Sequence, residues 1–78
     1  MNKKTKEKLY NVLEEVLGVK ITENLLMDDV PSWDSLRHIQ LLAKIEQVFG
    51  IEIDFQDTLL MTNVKSIREI LEKYINGK

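Results

Sequence analysis

The chain has 78 residues, a net charge of −2 and no cysteine, so we expect residues 1–78 to form one domain near the lower size limit for a protein that folds on its own core. Because the chain has no cysteine, disulfides and thiolate metal sites are excluded. We therefore expect a cytoplasmic protein, and we expect no metal site. No apolar run has the length of a membrane span, and no basic stripe with interleaved aromatic residues indicates nucleic-acid binding.

The first periodic segment predicts an amphipathic helix over about residues 3–17. Its apolar side chains recur three or four positions apart, as one face of a helix requires: Leu9, Val12, Leu13, Val16 and Leu17. Gly18 follows directly, and glycine commonly ends a helix because it tolerates a left-handed backbone. We therefore expect the helix to stop at Leu17.

Residues 19–33 have no sustained period and predict a long ordered loop. We expect Ile21, Leu25 and Leu26 to hold this loop to the core, and Trp33 to pack against the core at its end. A loop of this length in so small a domain is often functional.

A second helix is predicted from about residue 35 to 49, ending at Gly50. At about 100° per residue, six side chains share a broad apolar arc that we expect to face the core: Leu36, Ile39, Leu42, Ala43, Ile45 and Phe49. Leu41 and Val48 fall at the edge of the arc, where we expect partial exposure. The opposite side is polar and should face solvent: Arg37, Gln40, Lys44 and Gln47.

Two further helices complete the predicted fold. A short helix over about residues 55–61 carries four large apolar side chains: Phe55, Leu59, Leu60 and Met61. The last helix has Asn63 as its expected N-cap and Gly77 just past its end. Its apolar stripe consists of Val64, Ile67, Leu71, Tyr74 and Ile75. The sequence therefore predicts an all-α protein, a small four-helix bundle with a short third helix.

Asp34-Ser35-Leu36 stands where the long loop gives way to the second helix. A hydroxyl at this point lies at the positive end of the helix dipole, beside amide N–H groups that have no partner within the helix. Such a place favours an anion, including a phosphodiester. On this tripeptide alone, Ser35 is more simply interpreted as a helix-capping serine, and Asp34 can also act as the cap.

The chain resembles the acyl carrier protein family over nearly its whole length. The similarity rests on the helix order and on several short segments: Asp34-Ser35-Leu36, then Glu46 and Phe49, Glu52-Ile53, Thr62-Asn63-Val64 and Tyr74-Ile75-Asn76-Gly77. The resemblance implies that Ser35 accepts 4′-phosphopantetheine from coenzyme A, and that acyl or similar carboxylic groups travel as thioesters on this arm. The protein would then be a monomeric carrier rather than an enzyme. Its implied partners are a phosphopantetheinyl transferase, an acyl- or aminoacyl-loading ligase or transferase, and a downstream synthase or transferase.

The resemblance also implies roles for residues around Ser35. Five apolar side chains would part to shelter an acyl chain: Leu42, Ile45, Ile53, Met61 and Ile67. Partner enzymes would contact the start and the exposed side of the second helix, and the end of the third: Asp34, Leu36, Arg37, Gln40, Lys44, Gln47, Leu59 and Leu60.

Two features depart from the usual pattern of the family. The segment before the serine is Pro31-Ser32-Trp33 instead of a glycine-containing approach, and Trp-Asp-Ser-Leu resembles a subgroup of free-standing carriers. The exposed side of the second helix carries Arg37 and Lys44, with only Glu46 acidic near it, whereas carriers of fatty-acid synthesis are strongly acidic there. Since complementary charge steers transient encounters, we expect a dedicated lipid or secondary-metabolite pathway rather than bulk fatty-acid synthesis.

Two other functions remain open at the level of sequence. A helical adaptor of the same fold would bind partners without an arm on Ser35. A small hydrolase would use Ser35 with His38, three residues further along the helix. Against the hydrolase, Asp34 is adjacent to the serine and no separate residue is evident to orient the imidazole, whereas a catalytic triad depends on mutual geometry.

Overall fold

The computed structural model describes residues 1–76, and these form an all-α bundle of four helices. Helices α1 (Lys3–Leu17) and α2 (Ser35–Phe49) have the predicted bounds. Helix α3 (Phe55–Thr58) is shorter than the predicted 55–61, and α4 (Val64–Asn76) follows it. The predicted fold class is therefore confirmed. None of these helices, within residues 1–76, is both long and apolar enough to cross a membrane.

The helix ends follow from local sequence. Gly18 (φ 70°) and Gly50 (φ 65°) end α1 and α2 in the left-handed conformation, where a side chain would cost about 1–2 kcal/mol. The Oδ1 atom of Asn63 accepts a hydrogen bond from the amide of Ser66 at 2.8 Å, which confirms the predicted cap of α4. Gly77, predicted just past the end of α4, lies outside the described residues.

The core is apolar and lies where α1, α2 and α4 meet the loop between α1 and α2. Its buried side chains are Leu9, Val12, Leu13, Leu17, Ile21, Val30, Trp33, Leu41, Ile45, Met61, Val64, Ile67 and Leu71. Trp33 is only 2% exposed, which confirms that it packs against the core at the end of the loop. The core therefore reaches the residue two positions before Ser35.

The loop is attached partly through its backbone. The amide of Met27 donates to the carbonyl of Thr62 at 2.9 Å, and the amide of Val64 donates to the carbonyl of Leu25 at 3.0 Å. The side chain of Leu26, expected in the core, is 47% exposed, because this part of the loop is held by its main chain at the start of α4. A 3₁₀ turn at Met27–Asp29, not predicted from the sequence, tightens the same region.

Helix α2 is rotated relative to the prediction. Leu41, expected at the edge of the apolar arc, is fully buried, whereas Leu36 and Ile39 are 64% and 65% exposed and Ala43 is also exposed. The physical reason is that α2 packs mainly on α1, while the four-residue α3 is too short to cover the other side. That side of α2 is left open to solvent next to Ser35.

Helix α3 contributes less to the core than predicted. Phe55, Leu59 and Leu60 are 75%, 62% and 62% exposed, and only Met61, beyond the end of the helix, is buried. No residue of α3 itself is buried, so the helix is held by the flanking Ile53 and Met61, which contact the core, and by polar contacts with α2 and α4.

Candidate functional site

Ser35 is the first residue of α2, and Asp34 is the N-cap. The Oδ1 atom of Asp34 accepts from the amide of Arg37 at 2.8 Å, and its carbonyl accepts from the amide of His38 at 2.8 Å. The capping position is thus filled by aspartate, and the interpretation of Ser35 as the capping residue is wrong. Ser35 is exposed in the first turn, where free amides and the helix dipole favour an anion on its oxygen.

The segment before Ser35 is anchored on both sides. The hydroxyl of Ser32 donates to the carbonyl of Leu17 at 2.7 Å, at the end of α1. The indole Nε1 of the buried Trp33 donates to Nδ1 of His38 at 3.0 Å, and the two rings are tilted by 35°. Ser35 therefore lies in a segment whose neighbours are fixed, which presents its hydroxyl at a defined point of the surface.

The basic residues expected on the exposed side of α2 turn toward α1. The Nη1 atom of Arg37 donates to the carbonyl of Val16 at 2.7 Å, where a cation also meets the negative end of the α1 dipole. The Nζ atom of Lys44 lies 3.5 Å from Oε1 of Glu15. Both cations thus have partners on α1, although Arg37 itself remains exposed. Gln40 and Gln47 are also exposed, as predicted.

Apolar side chains dominate the other side of the site. Leu36 follows Ser35 directly and is mostly exposed. Beyond it, a surface groove runs between α2 and α3, which we call the α2–α3 groove; it is lined by Ile39, Leu42, Ala43, Glu46, Ile53, Phe55 and Thr58. The groove is open to solvent, since Ile39 and Phe55 are both more than half exposed.

The five residues expected to shelter an acyl chain lie at two depths in the structure. Leu42 and Ile53 line the α2–α3 groove, whereas Ile45, Met61 and Ile67 are fully buried in the core. A chain that reached these last three side chains would require the core to open, whereas the groove is accessible to solvent without such a change.

Polar contacts connect α3 and the residues before it to the other helices. These contacts were not predicted from the sequence. The carboxylate of Glu46 accepts from the amide of Ile53 at 2.8 Å. The Tyr74 hydroxyl accepts from the amide of Asp54 at 2.8 Å and donates to Oδ2 of Asp57 at 2.6 Å. Lys73 adds a second donor to Asp57 at 2.9 Å. These partners are about 7 to 20 positions apart in the chain, so no local pattern indicated them.

The same contacts shift the ionisation of the residues involved. The hydrogen bond from Tyr74, helped by Lys73, holds the pKa of Asp57 below its ordinary value, because both donors stabilise the carboxylate. The hydrogen bond to Asp57 in turn raises the pKa of Tyr74, and the same carboxylate raises the pKa of Lys73. Asp57 is therefore an ionised anchor of α3 at neutral pH.

His38 has orienting partners, contrary to the expectation from sequence. Indole N–H can only donate, so Nδ1 of His38 must accept from Trp33, and the proton of the neutral ring lies on Nε2. This Nε2 faces the carbonyl of Thr58 at 3.4 Å. Neither nitrogen has a lone pair available for the Ser35 hydroxyl, which argues against a Ser35–His38 hydrolase. Within residues 1–76 there is also no cluster of three or more acidic, histidine or cysteine side chains suited to a metal ion.

A comparison of the chain with known proteins finds a relative that covers most of its length. The acyl carrier protein of Buchnera aphidicola subsp. Baizongia pistaciae (strain Bp) is 36% identical over 73 residues, which cover 88% of this chain and 92% of that relative. No protein-family model matches the chain. The similarity therefore rests on a full-length relative rather than on a short shared motif.

Proposed function

Because this chain belongs to the acyl carrier protein family, we propose that it carries acyl or similar carboxylic groups as thioesters on a 4′-phosphopantetheine arm attached to Ser35. The observation that carries this proposal is the capping of α2 by Asp34. Since aspartate performs the structural role, the neighbouring serine is left exposed and free for chemistry.

The residues fit the attachment of such an arm. During modification, the Ser35 oxygen would give its proton to a base of the transferase and form a new P–O bond with the phosphopantetheine phosphorus. The P–O bond of the pyrophosphate linkage in coenzyme A would break, and the adenine nucleotide part would leave with the bridging oxygen. The transferase supplies the base and the metal, so the carrier needs only an accessible hydroxyl. The resulting phosphodiester stays negatively charged, and the first turn of α2 stabilises that charge through its free amides and its dipole.

We assign the carrier to a dedicated lipid or secondary-metabolite pathway. The only acidic residue within α2 is Glu46, and its carboxylate is occupied by the amide of Ile53. A partner with a basic docking patch would find little free negative charge on this helix. The exposed Leu36, Leu59 and Leu60 support docking through apolar contacts, with Gln40 and Gln47 as polar contacts beside them.

The proposed partners are a phosphopantetheinyl transferase, a loading ligase or transferase, and a downstream synthase or transferase, which a cytoplasmic monomer would visit in turn. Transient encounters suit a small exposed surface around one reactive group. Asp34 would serve these encounters in addition to capping α2, because its side chain is exposed next to Ser35.

Mass spectrometry tests the attachment directly. The purified unmodified protein is incubated with coenzyme A, magnesium and a broad-specificity transferase, and the modified residue is mapped by peptide fragmentation. We expect one phosphopantetheine group on Ser35 and none on Ser35→Ala. Ser32→Ala is the matched control, because Ser32 is three residues away but its hydroxyl is already bonded to Leu17. An unmodified wild-type protein under these conditions would contradict the proposal.

The exposed apolar side chains also support a second candidate, an adaptor of the same fold without an arm. The two functions differ in their dependence on Ser35. For an adaptor, Ser35→Ala would leave partner binding and cellular function intact, whereas for a carrier the same variant would fold normally and lose function.

A further inference from the structure

The residues on either side of Ser35 are joined to each other and to α3 through one side chain. Trp33, two positions before Ser35, donates its indole N–H to Nδ1 of His38, three positions after it. The opposite ring nitrogen, Nε2, faces the carbonyl of Thr58, the last residue of α3. A single imidazole therefore contacts both the segment that presents Ser35 and the short helix across the groove.

The two contacts of this ring depend on each other. A neutral imidazole carries one proton, so Nε2 can donate to Thr58 only while Nδ1 is an acceptor. The indole of Trp33 is a donor that requires such an acceptor, and it is almost fully buried. By occupying Nδ1, Trp33 keeps the proton on Nε2, where it faces α3.

Among the helices, α3 is the one whose position should depend most on a single polar contact such as that of His38 with Thr58. None of its residues is buried, and its position depends in part on polar contacts from His38 of α2 and from Lys73 and Tyr74 of α4. An element with few buried apolar contacts opens at low free-energy cost, so each polar contact holds a sizeable share of its stability. Phe55 and Thr58 also form one wall of the α2–α3 groove.

We propose that His38 is a positioning residue that couples the Ser35 segment to the seating of α3 through its Nε2–H tautomer. When Trp33 is seated, the ring presents its proton to Thr58 and α3 is held against α2. When the Trp33 contact is lost, the proton can move to Nδ1, Nε2 becomes an acceptor facing a carbonyl, and α3 is released. The coupling exists in the unmodified protein and does not require an arm on Ser35.

The consequence for the carrier rests on the proposed function. If an arm on Ser35 delivers its acyl group toward the α2–α3 groove, then a partner that displaces the Trp33 segment while engaging Ser35 would also loosen the groove wall. The same side chain would thus link recognition of the attachment site to opening of the groove.

NMR spectroscopy of the unmodified 78-residue chain tests the coupling. In the wild type, the imidazole ¹⁵N shifts should show the Nε2–H tautomer, and a through-hydrogen-bond coupling should connect Trp33 Nε1 to His38 Nδ1. In Trp33→Phe, Nδ1–H should become populated, and amide exchange at Leu60 and Met61, whose amides bond to α3 carbonyls, should accelerate about two- to tenfold, as expected for loss of one hydrogen bond.

Three further variants distinguish the coupling through His38 from a general loss of stability. Val30→Ala removes buried volume from the same loop without touching the hydrogen bonds, so the His38 tautomer should not change. In His38→Gln, the amide nitrogen can donate to Thr58 without help from Trp33, so adding Trp33→Phe should not accelerate exchange in α3 further. Tyr74→Phe should loosen α3 by its separate contact, and its effect should multiply with that of Trp33→Phe.

The proposal is overturned by a wild-type ring that is protonated on Nδ1 at neutral pH, or by an unchanged tautomer in Trp33→Phe. It is also overturned if Trp33→Phe accelerates exchange in α3 equally in the wild-type protein and in the His38→Gln variant. None of these measurements involves coenzyme A, so failure of the coupling through His38 and failure of Ser35 modification are separate results.

Discussion

Trp33 Nε1 donates a hydrogen bond to His38 Nδ1 at 3.0 Å, across the turn that contains Ser35. Trp33 belongs to the buried core, and His38 is part of α2, so this contact ties the loop before Ser35 to the helix after it. Asp34 caps α2 within the same turn. Ser35 itself makes none of these structural contacts, which leaves its hydroxyl exposed between residues that are held by hydrogen bonds.

His38→Phe should lower the free energy of unfolding by about 1–3 kcal/mol, since the buried indole N–H of Trp33 would lose its acceptor. Urea denaturation measures this change. The double variant with Trp33→Phe should be destabilised by less than the sum of the two single variants, because the unsatisfied donor is then absent. Strict additivity would mean that the hydrogen bond contributes nothing to stability.

Asp34→Ala should destabilise the protein by about 1 kcal/mol through loss of the cap of α2. Asp34→Asn retains a capping side chain without the charge, so it should unfold near the wild-type midpoint. Asp34→Ala removes both the cap and the charge, whereas Asp34→Asn removes only the charge, so the two variants distinguish the capping role of Asp34 from recognition by the transferase. If the transferase reads the carboxylate, modification of Ser35 in Asp34→Asn should slow in a kcat/KM assay although the fold is unchanged; a wild-type rate would assign Asp34 to capping alone.

Arg37→Ala should cost about 1 kcal/mol of stability, because the carbonyl of Val16 loses a charged donor at the end of α1. Lys44→Ala should change stability by no more than about 0.5 kcal/mol, since its contact with Glu15 is an exposed ion pair. Thermal or urea unfolding measures both. Equal losses in the two variants would contradict the capping role of Arg37.

Charge reversal tests the assignment to a dedicated pathway. Lys44→Glu adds an acid to α2 with little expected effect on the fold, and it should raise the kcat/KM of any weak reaction with fatty-acid elongation enzymes that use a basic docking patch. Arg37→Glu should act in the same direction but also destabilise the end of α1. Efficient use of the wild-type protein by those enzymes would contradict the assignment.

The contacts of Asp57 predict a dependence of stability on pH. Its pKa is lower in the folded protein than in the unfolded chain, so its contribution is fully present above the unfolded value of about 4 and is lost as pH falls through the lower folded value. Asp57→Asn should remove this part of the acid sensitivity. Urea unfolding measured between neutral and acidic pH gives the comparison, and parallel curves for the two proteins would contradict the prediction.

Much of the fold could be predicted because its signals are local. The apolar stripe of α1, the glycines at positions 18 and 50 and the cap at Asn63 act within one or two helical turns, and the structure has them as expected. The orientation of α2 could not be predicted in this way. Leu41 and Ile39 are both apolar residues of one helix, and only the packing of α1 and the shortness of α3 decide which is buried.

By itself, the sequence determined the all-α class, the ends of the two long helices and the place of Ser35 at the start of α2, because periodicity and capping depend on neighbours in the chain. Only the tertiary structure decided that Arg37 caps α1, that His38 connects Trp33 to Thr58, and that α3 is held by Tyr74. Those contacts join residues from different elements of the fold, some about 20 positions apart. Their geometry is set by how the helices pack, and no local pattern encodes it.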